Sequence, residues 1–334
     1  MPGEHDFAQY LKHLARGPGR TRTLTREEAH DAFSMILSGE AEPMQVGAFL
    51  LLKRYLSESA EEMAGFVEAA RMHIATTSEL SAFKSLPDLD WPSYAAGKSR
   101  TYPWFLLSAL CLAQSGVKVL MHGFNSSYNQ GLETADALDV LGLSQATSLD
   151  QAAKQLESHN FSYMPLSVLS PKLYELITLR PILGLRTPVN TLVRLLNPLK
   201  AQASFHGIFH PTYLPIHIEA SRLLAQPRVG VIKGGGGEAE RNPLKICVLN
   251  TVIEGKESSE KWPAILDHAD KPDKSDVTAK HFLNVWRGEV SDPLAEATIT
   301  GTAAQALWIA GIEKDIKSAQ KRAQALWAKR VMAI

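Results

Sequence analysis

The chain contains 334 residues, and at roughly 150 residues per domain this length suggests about two domains. Hydrophobic residues make up 45% and charged residues 21% of the chain, which is typical of globular proteins and excludes wholesale disorder. The 35 basic and 35 acidic side chains balance. The composition therefore excludes a nucleic-acid binder that is basic throughout, but not one with a local basic face.

Cysteine usage and the apolar runs indicate the compartment. Cys111 and Cys247 lie in apolar runs, where we expect buried, unreactive thiols and no disulfide framework. The first residues show no basic-then-apolar signal pattern. The longest apolar run, 104–113, is well short of the ~20 residues that a membrane-spanning helix needs. The sequence predicts a soluble protein of a reducing cytoplasm, without a membrane partner.

Residues 25–75 have the pattern of consecutive helices. Thr25 and Glu28 have the spacing of a capping box, in which each side chain accepts the other residue's main-chain N–H. Apolar side chains then recur at helical spacing, and no strand pattern interrupts them. The N-terminal part is therefore predicted to be a small helical bundle.

Beyond Pro87, short apolar strands alternate with helices. Strands are predicted over 117–121, 161–166, 203–209 and 229–233. Helices are predicted over 104–114, 134–141, 171–179, 188–196 and most of the last forty residues. This alternation indicates an α/β domain with a mainly parallel sheet. The polar segment 254–280 is predicted to be a surface excursion.

A glycine run provides the strongest local signal for chemistry. The strand at 229–233 runs into Gly234, Gly235, Gly236 and Gly237. Consecutive glycines can turn successive N–H groups inward and form a nest for a phosphate. Glu238 and Glu240 follow, and such a pair can hold a Mg²⁺ ion that bridges to substrate phosphates. The alternative is a flexible turn with solvated acids.

Polar side chains also follow the strand at 117–121. His122 and Asn125 lie in a loop directly after it, where ligands of open α/β sheets bind. Arg180 and Arg186 flank a Pro-Gly turn and can offer planar forks to a carboxylate or phosphate. The alternatives are a satisfied loop histidine and, beside Arg186, a Thr187 that serves as a helix N-cap.

The C-terminal helix carries a basic stripe. Its four members recur at helical spacing: Lys314, Lys317, Lys321 and Arg322. Such a stripe can lie along a nucleic-acid backbone, although a solvated helix face is the more usual outcome. His206, His210 and His217 lack cysteine or acidic neighbours and are weak candidates for a metal site.

Several motifs resemble those of the anthranilate phosphoribosyltransferases, and of the related pyrimidine nucleoside phosphorylases. These motifs occur in the family's order across most of residues 20–330. They are the segments 25–40, 45–50, 122–123 and 135–142, the Leu-Gly-x-Arg-Thr signature at 183–187 and the Asn-Pro signature at 197–198. The resemblance implies a small helical domain, 1–80, with 171–200 packed onto it. It also implies a larger α/β domain formed by 81–170 and 201–334, and a homodimer.

The same resemblance implies a site for phosphoribosyl diphosphate (PRPP) and magnesium in the cleft. His122, Asn125 and Arg180 would then correspond to acceptor-binding residues, and Glu238 and Glu240 would lie near the family's magnesium-binding pair. The glycine-rich diphosphate loop expected just before residue 101 is replaced by 93–100, without its paired glycines and acidic residue. Lys98 and Arg100 offer side-chain phosphate contacts there instead.

Two functions follow as hypotheses. The chain resembles a divergent paralogue branch whose members are associated with nucleic-acid binding, so the first is a homodimer that binds single-stranded DNA or RNA and does not phosphoribosylate anthranilate. The second is an active, magnesium-dependent phosphoribosyl or pentosyl transferase with an unknown acceptor. A scaffold without a ligand is the third alternative.

Overall fold

The structure, a computed structural model, describes residues 5–17, 19–77, 87–94, 102–125, 131–268 and 277–332. Its N-terminal part consists of the four helices α1 (Ala8–Ala15), α2 (Arg26–Ser38), α3 (Pro43–Leu56) and α4 (Ala60–Thr77). The predicted capping box opens α2: Glu28 N donates to Thr25 Oγ1 over 3.2 Å, and Thr25 N donates to Glu28 Oε2 over 2.9 Å. Packed aromatic rings, including Phe33 and Phe66 at 5.2 Å, fill this helical unit.

Seven strands form one sheet in the order β3-β2-β1-β4-β5-β6-β7. Their bounds are β1 (Leu89–Ser93), β2 (Val119–Gly123), β3 (Phe161–Pro165), β4 (Ala203–Ile208), β5 (Arg228–Lys233), β6 (Cys247–Ile253) and β7 (Lys256–Trp262). The first five strands are parallel, and β6 and β7 add an antiparallel hairpin at one edge. The carboxyl ends of the parallel strands therefore meet at one edge of the sheet, where ligands bind in such folds.

Helices connect the strands and cover both faces of the sheet. They are α5 (Trp104–Gln114), α6 (Thr134–Leu141), α7 (Leu149–His159), α8 (Leu166–Leu169), α9 (Pro171–Ile177), α10 (Arg180–Leu183), α11 (Val189–Leu192), α12 (Leu214–Leu223), α13 (Ala279–Arg287), α14 (Pro293–Ile309) and α15 (Ile316–Ala328). Gly142 ends α6 in the left-handed conformation, at φ 76°, as its position in the sequence predicts.

The two faces of the sheet bury different kinds of side chain at β1 and β4. Trp91 of β1 and Phe205 of β4 point to one face, where α5 and α14 cover an apolar core. Because strand side chains alternate, Asp90 and Ser204 point to the opposite face, toward the cluster that includes the helical unit. Residues of α9 and α11 share this second cluster with residues of the helical unit.

The structure corrects three sequence-based predictions of secondary structure. The segment 254–280, predicted to be a surface excursion, contains the edge strand β7, whose side chains up to Lys261 are exposed. The predicted helix at 188–196 is a single turn over 189–192. Strand β1 had no predicted counterpart, because its buried Asp90 and Pro92 interrupt the apolar pattern of a buried strand.

Two smaller expectations are confirmed. Cys111 and Cys247 are buried free thiols, and burial raises the pKa of Cys111 to about 12, which keeps the thiol protonated. Across the described residues, each helix is too short or too polar to cross a membrane.

Candidate functional site

A cavity of about 130 Å³ lies at the carboxyl end of β4, between the sheet and the helical unit. Arg54 of α3, Arg186 and Arg194 bring three guanidinium groups to its walls. No carboxylate is present among the described residues that line it. We call this site the arginine cavity.

The guanidinium groups are close enough to affect one another. Burial, followed by the charges of Arg180 and Arg54, lowers the pKa of Arg186. Burial also lowers the pKa of Arg194, with Arg186 adding to the shift and Glu238 opposing it. An anion in the cavity would relieve the mutual repulsion of these guanidinium groups.

Hydrogen bonds hold these arginines in place. Arg194 lies just after α11, where Nη2 donates to the carbonyl of Tyr94 over 2.7 Å and Nη1 to that of Asn190. Arg54 Nη1 donates to the hydroxyl of Tyr213 over 2.6 Å. The positive charges are therefore positioned before any ligand arrives, which lowers the cost of binding.

Thr187 does not serve as the helix N-cap that was the alternative interpretation of its position. Pro188 takes the N-cap position of α11, which has no side-chain cap. The Thr187 hydroxyl is buried, at 6% residue exposure, and has no hydrogen-bond partner, although the residue lines the arginine cavity. A buried polar group without a partner is costly, so this hydroxyl is a candidate ligand contact.

A chain of buried hydrogen bonds leads away from the cavity through the polar face of the sheet. Asp90 Oδ1 lies 3.0 Å from His122 Nε2, and His122 Nδ1 lies 2.6 Å from the hydroxyl of Tyr94. As a carboxylate, Asp90 can only accept, so His122 donates from Nε2 and accepts from Tyr94 at Nδ1. His122 is fully buried with both ring nitrogens engaged, and it does not line the arginine cavity.

The other oxygen of Asp90 continues the chain toward the cavity. Ser204 donates its hydroxyl to Asp90 Oδ2 over 2.7 Å and accepts from His206 Nε2 at 2.8 Å. The His206 and His217 Nδ1 atoms lie 3.4 Å apart. Because His206 donates from Nε2, its Nδ1 is an acceptor, and His217 therefore donates from Nδ1. Nε2 of His217 is then an acceptor. The residue His217 lines the cavity.

The remaining predicted acceptor-binding residues lie outside the cavity lining. Asn125 Nδ2 donates to Asp136 Oδ1 over 3.1 Å, and Asn125 Oδ1 accepts from the N–H of Ala135, so this side chain holds the start of α6. Arg180 acts on the cavity through its charge on Arg186. The predicted phosphate contacts Lys98 and Arg100 lie outside the described residues.

The glycine run does not present the predicted anion nest in this structure. Three of its N–H groups already donate to main-chain carbonyls: Gly234 to Ile208, Gly235 to Glu240 and Gly237 to Gly234, over 3.1 to 3.3 Å. Gly236 has the positive φ of 66° that turns the loop. These donors are consumed by the fold, so the run is a tight turn.

Close packing explains why the turn needs glycine. A Cβ atom on Gly234 would lie 1.6 Å from the carbonyl oxygen of Glu238, and one on Gly207 of β4 would lie 2.0 Å from the Glu238 carbonyl carbon. Both distances are far below any allowed contact. The loop therefore packs directly against the end of β4, which forms part of the cavity wall.

The predicted magnesium pair serves as internal acceptors. Glu240 Oε2 accepts the N–H of Phe105 at the start of α5 over 3.0 Å, and Glu238 Oε1 accepts the Ser93 hydroxyl over 3.3 Å. Both carboxyl groups are buried. Within the described ranges, no three His, Cys, Asp or Glu side chains form a group that could hold a metal ion. Glu238 and Glu240 as a magnesium-binding pair that bridges to substrate phosphates therefore stay a prediction.

The basic stripe is a surface separate from the cavity. Its members Lys314, Lys317, Lys321 and Arg322 are exposed. Lys317, Lys321 and Arg322 lie on α15, which packs against α14 and α5 through residues such as Ala323. Arg322 Nη1 forms an exposed ion pair with Glu313 at 3.1 Å. These residues thus form a solvated face, and their contact with a nucleic-acid backbone stays a prediction.

Comparison with known proteins identifies the family. Profiles of the glycosyl transferase family match the chain twice, the helical bundle domain at residues 8–74 and the a/b domain at residues 105–329. The chain belongs to this family. The anthranilate phosphoribosyltransferase of Oleidesulfovibrio alaskensis is 30% identical over 266 residues, which cover 79% of this chain and 77% of that relative.

Solved structures share the fold of this family member. Anthranilate phosphoribosyltransferase from Thermus thermophilus matches with a TM-score of 0.76 at 22% identity, covering 96% of this chain and 94% of its own. The Saccharomyces cerevisiae enzyme in complex with PRPP and Mg matches with a TM-score of 0.76 at 17% identity, covering 98% and 94%. The predicted family resemblance and fold class, a helical domain and an α/β domain with a mostly parallel sheet, are confirmed.

The buried histidines make stability depend on pH. Burial, together with the charge of Arg194, lowers the pKa of His217 from 6.5 to about 3, and burial lowers that of His206 well below 6.5. Below about pH 6.5 the unfolded chain therefore binds protons that the folded chain does not, and the free energy of unfolding falls as the pH drops. Each such histidine contributes up to about 1.4 kcal/mol per pH unit.

We predict that His217→Gln flattens this dependence by about 1.4 kcal/mol per pH unit between about pH 5.5 and pH 4. Glutamine keeps a polar side chain beside His206 but takes up no proton. Urea unfolding followed by circular dichroism at several pH values measures the slope. His159→Gln, which removes an exposed histidine, is the control and should keep the wild-type slope. Equal slopes for all three proteins would contradict the prediction.

Proposed function

We propose that the protein binds single-stranded nucleic acid, DNA or RNA, and does not transfer a phosphoribosyl group to anthranilate. One observation carries this proposal: Arg54, Arg186 and Arg194 surround a cavity whose described lining has no acidic side chain. Guanidinium groups pair well with phosphate, and phosphate contacts supply most of the affinity of sequence-independent binding.

The rim of the cavity adds a stacking surface. Phe209 is 48% exposed and lies against His210, with ring centroids 4.6 Å apart. Both residues line the arginine cavity, as does Tyr213. Proteins that bind single strands combine positive charge with aromatic rings on which unpaired bases stack. A base on Phe209 with its phosphate among the arginines would use both features.

Other features weigh against anthranilate transfer. Glu238 and Glu240 are committed to internal hydrogen bonds, and the glycine run uses its donors within the fold. The segment 93–100 lacks the paired glycines of the family's diphosphate loop. Lys98 and Arg100 of that segment, together with the basic stripe, would extend the phosphate contacts beyond the cavity. Buried free thiols suit a reducing cytoplasm, which we propose as the location.

The first test is fluorescence anisotropy of a mixed-sequence single-stranded DNA at several salt concentrations. We expect a Kd below about 1 μM at low salt and a steep loss of affinity as salt rises, because bound phosphates release counterions. Arg54→Gln should reduce the salt slope by about 0.7, the value for one phosphate contact on a single strand. Phe209→Ala should weaken binding by roughly fivefold or more at an unchanged slope.

Paired charge reversals test the basic stripe in the same assay. The double variant K317E/K321E should lower both the affinity and the salt slope. K256E/K261E reverses two exposed lysines on the edge strand β7 and serves as the matched control. No binding by the wild-type protein at low salt would overturn the proposal, whereas equal losses from both double variants would overturn only the role of the stripe.

A magnesium-dependent pentosyl transferase is the second candidate. It is favoured by the family membership and by the relative that was solved in complex with PRPP and Mg. Titration calorimetry with PRPP and Mg²⁺ tests it directly. For this candidate we expect binding that depends on magnesium, and absence of binding at millimolar PRPP would exclude it. If nucleic-acid binding is the function, PRPP should compete weakly and without a requirement for magnesium.

We also propose that the protein is a homodimer joined through its helical unit. Met44 of α3 and Ile182 of α10 are 86% and 80% exposed. They flank an apolar groove of about 310 Å³ that Val46, Leu179 and Leu183 help to line. Exposed apolar patches of this kind mark interaction surfaces, and the family resemblance implies a second copy as the occupant.

Ile182→Glu should disrupt this dimer, because a buried unpaired carboxylate is costly. Light scattering should give twice the 36.6 kDa chain mass for the wild-type protein and the single-chain mass for the variant. Val331→Glu, at an exposed apolar residue near the C-terminus, is the control and should keep the wild-type mass. A monomeric wild-type protein would contradict the proposal.

A further inference from the structure

The main chain at the end of β4 packs against the glycine run 234–237, which we call the glycine turn. The N–H of Gly234 donates to the carbonyl of the last residue of β4 over 3.2 Å. One residue earlier, a Cβ atom on Gly207 would lie 2.0 Å from the Glu238 carbonyl carbon, so the two segments touch backbone to backbone. The glycine turn therefore fixes the main chain from which the next residue, Phe209, extends.

Gly237 contacts Phe209 itself. A Cβ atom on Gly237 would lie 3.4 Å from the Phe209 Cβ atom and 3.5 Å from its main-chain nitrogen. Gly237 has a φ of 92°, a left-handed value that strains any other residue. A side chain at this position would strain the turn, and its first carbon would occupy the space directly beside Phe209. Any movement of the turn that relieves the strain would then change the position of Phe209.

Phe209 presents its ring to solvent from this anchored main chain. The residue is 48% exposed, whereas the preceding Ile208 is 4% exposed and belongs to an apolar cluster. The Phe209 ring lies against His210, with an angle of 84° between the two ring planes. An exposed ring on a fixed main chain loses little conformational freedom when a base stacks on it, and preorganisation of this kind strengthens binding.

We infer that the glycine turn, through Gly237, is the support that positions the Phe209 ring for stacking on an unpaired base. The inference rests on the proposed nucleic-acid binding, and it gives the glycine run a part in binding that involves the base and not the phosphate. Gly237 is a positioning residue, since it touches Phe209 and Phe209 touches the base. A change at Gly237 should therefore weaken the contact with the base and leave the phosphate contacts as they are.

The experiment measures fluorescence anisotropy of two single strands of equal length, one of mixed sequence and one built from abasic tetrahydrofuran nucleotides. The two strands carry the same phosphates, but only the first can stack on an aromatic ring. We expect Gly237→Ala to weaken binding of the mixed-sequence strand about threefold or more at an unchanged salt slope. The same variant should bind the abasic strand as the wild type does.

The hairpin turn between β6 and β7 provides the matched control. Gly255 has a similar φ of 75°, but no other part of the chain lies within 4 Å of the place where its Cβ atom would be. Gly255→Ala therefore introduces the same backbone strain without moving Phe209. It should bind both strands as the wild type does.

A double variant tests whether Gly237 acts through Phe209. If it does, the alanine at 237 has no further effect once the ring is absent. G237A/F209A should then bind the mixed-sequence strand with the affinity of Phe209→Ala. Losses that multiply in the double variant would overturn the assignment of Gly237 to Phe209.

Gly237→Asn is the second variant at this position, because asparagine adopts a positive φ more readily than alanine. Circular dichroism establishes which variants are folded, and the same results are expected of Gly237→Asn if Gly237→Ala does not fold. Wild-type affinity of the folded variant for the mixed-sequence strand, or equal losses on both strands, would overturn this inference and leave the proposed function intact. Absence of binding by the wild-type protein to either strand would overturn both.

Discussion

The buried carboxylate of Asp90 is the interaction on which the polar face of the sheet depends. It accepts from His122 on one side and from Ser204 on the other, and a carboxylate cannot donate to either. That constraint orients every donor in the chain of hydrogen bonds from Tyr94 to His217. The two histidines on the Ser204 side, His206 and His217, are neutral. His217, a neutral histidine, therefore lines the cavity together with the three arginines.

The acidic and the basic side chains near the arginine cavity have different surroundings. Glu238 and Glu240 are buried, where Glu238 Oε1 accepts from Ser93 and Glu240 Oε2 accepts from the first turn of α5. Arg194 and Arg54 are held at the cavity by hydrogen bonds to a carbonyl and a hydroxyl oxygen. A fold whose relatives include a complex with PRPP and Mg thus presents in this chain a cavity that three arginines line.

Features that depend on neighbouring residues could be read from the sequence, and features that depend on distant ones could not. The capping box at Thr25 and the stop at Gly142 are local, and the structure has both. Strand β1 was missed because the reason for its buried Asp90 lies on two other strands. Arg54 and Arg194 carry no spacing signal, since only the folded chain brings them together. For Thr187 the sequence left a helix cap open as an alternative, and only the structure shows that Pro188 takes the N-cap position.

The edge strand β7 bears on whether the sheet can be extended by further strands. Its outer edge is unpaired within the described sheet, and an exposed edge of this kind invites further strands. Lys256, Glu257, Glu260 and Lys261 place charges of both signs along it. Adding a strand there would bring charged side chains into contact and strip them of water. Extension of the described sheet at β7 is thereby disfavoured, which protects this edge against aggregation.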